Sequence, residues 1–193
     1  MKRRKIILAS GSPRRKRILA QIGLDFSVLS ADIDEKKVRI KNPKLLVQEL
    51  SLLKAKAVLS KRKTSIILAA DTVVVFENKI LGKPETEENA RKMLRMLSNK
   101  KHSVITGFTI IDPKFKKIIT KSEETKVWFR KISKEEINGY VATGEPLDKA
   151  GAYGIQELGS AFVQKIEGDF FNVVGLPICL VLTELEKLGV KAF

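Results

Sequence analysis

The feature that most constrains the fold is the run Ile66–Phe76, which reads Ile-Ile-Leu-Ala-Ala-Asp-Thr-Val-Val-Val-Phe. It is apolar almost throughout and rich in β-branched residues, with none of the alternation that marks a strand with one wet face. A run of this kind is a central strand buried on both faces, in a sheet covered by helices. A single carboxylate, Asp71, interrupts it. An ionised carboxylate there is costly unless it is paired or bound to metal. A bulge or a strand end would expose it; an active site would use it, and that is the reading adopted here.

Residues 5–9 form a short apolar strand before it, and residues 13–22 a helix with Ser12 as N-cap, Pro13 at its first position and Gly23 as its stop. Residues 26–30 alternate as a second strand. Residues 43–60 form a long helix with Leu46, Leu50, Leu53 and Ala57 on one face. After the central strand, residues 77–79 make a turn from which Ile80 and Leu81 return. A helix capped by Thr86 runs to Leu97. Residues 102–111 and 117–129 are long strands, joined as a hairpin through Asp112-Pro113-Lys114. Ser133 caps a helix through about Ala142, with Glu135 and Glu136 favourable in its first turn. Residues 144–159 are Gly-rich and irregular, residues 161–166 a strand, and Pro177 opens a closing helix that ends near Gly189. Strands and helices alternate around an antiparallel hairpin, so the class is α/β with a mixed sheet flanked by helices. No linker or internal repeat divides the 193 residues, which are expected to form a single domain, 1–193.

Several function classes fall away. No apolar stretch is long enough to span a bilayer; the longest, residues 173–182, contains Gly175 and Pro177. The basic start is followed by an apolar run of only four residues, 6–9, too short for a secretion signal, and a cytoplasmic protein is expected. The lone Cys179 allows no intrachain disulfide, and its apolar surroundings predict a small buried residue. With one histidine, His102, neither a Cys/His zinc site nor more than a far-fetched catalytic triad can be assembled. Any metal is therefore a hard divalent cation on carboxylates, Mg or Mn. The net charge of +15 suggests an anionic partner. The basic residues are nevertheless scattered and lack interleaved aromatics, so most are read as solvated surface, with a few reserved for a polyanion and nucleic acid disfavoured.

Those few are legible. Ser10-Gly11-Ser12-Pro13-Arg14-Arg15 leads from a strand into a helix start, where N–H groups and the positive end of the dipole favour an anion. Arg14 and Arg15 can fork onto phosphate oxygens. A capped helix with a solvated basic first turn is the plainer alternative, but two cations there oppose the dipole. Asp32-Ile33-Asp34-Glu35 follows a strand and can join Asp71 around one cation. Lys54 and Lys83 are candidate phosphate ligands, Lys83 the stronger because the Gly82-Lys83-Pro84 turn fixes its backbone. In the Gly-rich stretch Gly144 to Gln156, close backbone approach to a ligand is expected, and the Gln156 amide can pair with a base edge.

Together these segments resemble the Maf family of nucleoside triphosphate pyrophosphatases over nearly the whole chain. The motifs are residues 8–15, Ala70-Asp71-Thr72-Val73-Val74, Gly82-Lys83-Pro84, Thr106-Gly107 and Asn172-Val173-Val174-Gly175-Leu176-Pro177, in that order. Residues 149–156 look like the branch that acts on dTTP and UTP rather than 7-methyl-GTP. The match departs at Lys16-Arg17, where an acidic residue is common, and at Glu157, where Gly is usual. The resemblance implies a Maf/ITPase-like fold, a homodimer, and hydrolysis between the α and β phosphates to a monophosphate and pyrophosphate. It implies Asp71 as proton acceptor, with Arg14, Thr72 and Gln156 setting base choice. Combined with the residues, it suggests Ser10, Arg14, Arg15, Lys54 and Lys83 on phosphate, and Glu35 with Asp71 on the metal. The rival activities are 7-methyl-GTP hydrolysis and non-catalytic nucleic-acid-binding regulation.

Overall fold

The computed structural model describes residues 4–191. The chain divides into two compact units. The first comprises the chain up to Asp71, Thr106–Glu123, and the part from Gly175 onward; the second comprises Thr72–Ile105 and Glu124–Val174. In chain order the elements are β1 (Ile6–Leu8), α1 (Pro13–Gln21), β2 (Phe26–Val28), α2 (Pro43–Leu59), β3 (Ile66–Phe76), β4 (Lys79–Leu81), α3 (Glu87–Leu97), β5 (Lys101–Asp112), β6 (Lys117–Phe129), α4 (Lys134–Ala142), β7 (Val163–Glu167), α5 (Phe170–Val174) and α6 (Ile178–Glu186). Seven strands form one sheet in the order β2-β1-β3-β5-β6-β7, with β4 added to β3. β1 is parallel to β2 and β3, whereas β3–β4 and β6–β7 are antiparallel, so the sheet is mixed as expected.

Local chemistry accounts for the boundaries. The Ser12, Asn42 and Thr86 side chains accept the backbone N–H groups of Arg15, Leu45 and Asn89, capping α1, α2 and α3. Ser133 and Glu136 close a full capping box on α4. Glu77 and Asn78 both take positive φ between β3 and β4, as a type I′ hairpin requires. In the first unit the carboxylate of Asp112, at the end of β5, is buried and held by both terminal nitrogens of Arg4, each at 2.5 Å. That bidentate contact holds the Asp112 carboxyl below the usual carboxylate range.

Three expectations need correction. The buried face of α2 is not the leucine row Leu46, Leu50, Leu53, Ala57; it is Val47, Leu50, Ser51, Ala55 and Val58. The cause lies on β5. A Cβ on Gly107 would stand 2.5 Å from the carbonyl carbon and oxygen of Val47, so the helix backbone lies against the bare strand and turns its small residues inward. Cys179 is exposed rather than buried, because α6 turns Ile178, Val181 and Leu185 inward. The strand expected at 161–166 begins at Val163, since a 3-10 turn occupies Leu158–Phe162.

Candidate functional site

The first unit gathers most of the candidates at one edge. β2, β1 and β3 are parallel, with Leu8 opposite both Val28 and Leu68. Loops leaving the carboxyl ends of parallel strands are where α/β sheets place ligands. The Ser10–Arg15 turn leaves that end of β1, Asp34 and Glu35 follow β2, and Asp71 lies three positions beyond Leu68 on β3. Parallel pairing thus brings together residues far apart in sequence.

Lys54 joins the two carboxylates. Its Nζ lies 2.5 Å from Asp71 Oδ1 and 2.7 Å from Glu35 Oε1. Asp71 is buried in the strand, whereas the Glu35 side chain is about half exposed (53%) on a short 3-10 turn. The position of Lys54 follows from the seating of α2: Ser51, one turn earlier, bonds Thr109 on β5 through hydroxyls 2.8 Å apart, and Gln48 donates to Ser122 on β6 at 3.1 Å. Of the two lysines, Lys54 rather than Lys83 is the one tied to the carboxylates.

Arg15 is buried at the start of α1. It donates through Nε to the Gly175 carbonyl at 2.8 Å and through Nη1 to Ser10 Oγ at 3.0 Å. Burial pushes its guanidinium below the ordinary range; the nearby Asp71 charge opposes that shift, Arg14 adds to it, and Glu35 opposes it. Arg14 is half-buried on the same turn. Cationic and anionic groups therefore share one small region. Two carboxylates converging on one ammonium suit a hard cation, because Mg²⁺ needs only one or two carboxylates besides water and phosphate oxygens. Among the described residues, no group of three or more His, Cys, Asp and Glu is placed to hold a metal ion.

The second unit carries Thr72, Lys83 and Gln156. Thr72 is half-buried on β3 directly after Asp71, while Lys83 and Gln156 are exposed. The turn bearing Lys83 and the Gly-rich loop are linked, Gly151 N–H donating to the Gly82 carbonyl at 3.1 Å. Gly151 takes φ +68°, and a Cβ there would meet the Val74 side chain at 2.8 Å, so this close approach requires glycine.

The family described as "Maf-like protein" matches residues 5–188. The chain belongs to the Maf family. A relative from Geobacillus sp. (strain WCH70), named dTTP/UTP pyrophosphatase, is 50% identical over 186 residues, covering 96% of this chain and 99% of the relative. One of the same name from Thermosipho africanus (strain TCF52B) is 54% identical over 186 residues, covering 96% and 94%. Among solved structures, a HAM1 protein from Coxiella burnetii superposes with a TM-score of 0.54 at 15% identity, over 95% of this chain and 99% of that one, which shows a shared fold.

In this Maf chain His102 has the structural role that the sequence favours. His102 is a core residue: it is buried, its Nε2 lies 2.8 Å from the Tyr153 hydroxyl, and Phe129 and Tyr153 stand edge-on to its ring. Burial pushes its pKa down to about 4. The Tyr153 hydroxyl is spent on His102 inside the core. Sequence reading also passed over Glu145 and Lys149 individually. The Glu145 carboxylate accepts from the Tyr140 hydroxyl at 2.8 Å, Leu158 N–H at 3.1 Å and Gly159 N–H at 3.2 Å. Their signal was their place in a loop with several glycines, where charged side chains read as solvated. No described helix is long and apolar enough to cross a membrane.

Proposed function

We propose that the protein is a cytoplasmic nucleotide pyrophosphatase that hydrolyses dTTP and UTP to the monophosphate and pyrophosphate. The observation that carries this reading is the junction of Asp71, Lys54 and Glu35 beside the Ser10–Arg15 turn, at the carboxyl ends of three parallel strands. The names of relatives at about half identity, dTTP/UTP pyrophosphatases, support the substrate class.

A triphosphate is held by its charge, to which Ser10, Arg14, Arg15, Lys54 and Lys83 respond through charge-assisted hydrogen bonds. Asp71 accepts a proton from the attacking water. The water oxygen bonds to the α-phosphorus, the bond from that phosphorus to the bridging oxygen breaks, and pyrophosphate leaves with the bonding pair. Lys54 holds the Asp71 carboxylate in place before substrate arrives, and its charge becomes available to phosphate. Glu35 and Asp71 are the residues that would hold Mg²⁺ or Mn²⁺, and a bound ion would supply charge against the triphosphate and favour deprotonation of the attacking water. Arg14, Thr72 and Gln156 set base choice: uracil and thymine offer an acceptor at position 4 beside an N3–H donor, which a carboxamide matches at two points.

The test is a panel of dTTP, UTP, CTP and 7-methyl-GTP with Mg²⁺ or Mn²⁺, assayed for pyrophosphate. Release from dTTP and UTP above the others is the expected result. Preference for 7-methyl-GTP would overturn the pyrimidine assignment. Salt-sensitive binding to long DNA without pyrophosphate release would overturn the enzyme reading.

A further inference from the structure

The loop that carries Gln156 is organised around a buried lysine. The Lys149 side chain is only 7% exposed, yet its ammonium has three oxygen partners: the Glu145 carbonyl at 2.7 Å, Asp148 Oδ1 at 2.9 Å and Glu157 Oε2 at 3.0 Å. A Cβ on Gly154 would stand 2.8 Å from Lys149 Cε, so a side chain there would have to displace the Lys149 stem. Gln156 lies between these fixed points. Glu157 follows it directly and is tied to Lys149; Leu158 and Gly159 are tied to the Glu145 carboxylate; Tyr153, before it, is anchored in the core by His102. The exposed side chain of Gln156 thus projects from a backbone fastened on both sides.

A buried ammonium is a poor way to gain stability alone, because an apolar replacement of a buried ion pair is often neutral or stabilising. What such a group can supply is one defined loop conformation. We propose that Lys149 is a positioning residue for base selection: by tying Glu145, Asp148 and Glu157 to one point, it fixes the direction in which Gln156 presents its amide. This rests on the reading that Gln156 recognises the base. A two-point match depends on the orientation of the amide, and displacement by about 1 Å costs on the order of a hundredfold.

The test compares kcat/KM for dTTP and CTP, with melting temperatures, in wild type, Lys149→Met, Glu157→Gln, Gln156→Leu and the Lys149→Met/Gln156→Leu double variant. Lys149→Met is expected to narrow the dTTP:CTP ratio about tenfold or more. Glu157→Gln should narrow it in the same direction by less. In the Gln156→Leu background the lysine substitution should change the ratio no further. A folded Lys149→Met with an unchanged ratio overturns the proposal, as does an equal narrowing in both backgrounds, since a lysine with a merely structural role would give either. If Gln156→Leu alone leaves the ratio untouched, the base-reading assignment fails, and the proposal fails with it for a separately identifiable reason. If Lys149→Met does not fold, Glu157→Gln decides: an unchanged ratio there overturns the proposal.

Discussion

Asp71 and Arg15 are both buried charges, and their partners predict different consequences when each is removed. Asp71→Asn nearly conserves volume, and Lys54 keeps Glu35 as a counter-ion 2.7 Å away, so the fold should persist. Removing the proton acceptor should lower kcat by roughly 10²–10⁴-fold or more. Steady-state kinetics on a variant with a normal circular dichroism spectrum is the check; near-normal kcat would remove Asp71 from the chemistry. The two arginines, both assigned to phosphate from the sequence, separate in the structure. Arg15→Ala leaves the Gly175 carbonyl and the Ser10 hydroxyl without their guanidinium donor, and should cost about 3 kcal/mol of stability besides any loss of activity. Arg14 is only half-buried, so Arg14→Ala should change stability by about 0.5 kcal/mol or less while lowering kcat/KM by roughly thirtyfold, about 2 kcal/mol. Denaturant titrations paired with kinetics test this, and identical stability losses in both variants would contradict it.

At the scale of elements, the seating of α2 on β5 connects packing to the site. Gly107→Ala would drive a Cβ into backbone atoms of Val47, which cannot rotate away, so α2 must shift. Overpacking of this kind costs about 1–3 kcal/mol. Because α2 also carries Lys54, kcat/KM should fall with stability, and an unchanged denaturant midpoint would show that the helix seat tolerates a methyl group. The same contact shows what could be read from the chain. Caps, turns and the buried strand were legible because Ser12, Thr86, Ser133 and the Ile66–Phe76 run act locally. The face of α2 was not, because hydrophobicity favours its leucines while a bare glycine on a distant strand admits Ser51 and Ala55. In the candidate site, Asp71 was conspicuous as the lone charge in an apolar strand. The partnership of Lys54 with Glu35 and Asp71 was not, since one lysine among so many carries no local signal and only the parallel pairing of β1 with β2 and β3 brings these segments together. Lys149 was hidden in the same way, among charges that a loop usually leaves to solvent.

For the molecule as a whole, acid is the condition that reaches deepest. A chain already at +15 gains further positive charge as pH falls, which strengthens its self-repulsion. His102 adds a specific penalty. Its folded pKa is about 4 against an ordinary 6.5, because burial disfavours the imidazolium. Between those values the unfolded chain binds a proton that the folded chain does not. The stabilising contribution is therefore complete above pH 6.5 and is lost as pH falls toward 4, on the order of 3 kcal/mol across the window. Asp112 and Glu136 are held below their ordinary range, chiefly by hydrogen bonds from Arg4 and Arg130, so their stabilisation is present above their unfolded values and lost mainly below about pH 4.5. The slope between pH 6.5 and 4.5 accordingly reports His102. We expect the wild-type melting temperature to drop by several degrees over that interval. In His102→Gln, which keeps a polar partner for the Tyr153 hydroxyl but cannot titrate, the drop should be clearly smaller. General self-repulsion acts on both proteins and largely cancels in the comparison, so parallel curves would show that burial of His102 does not set the acid sensitivity of the fold.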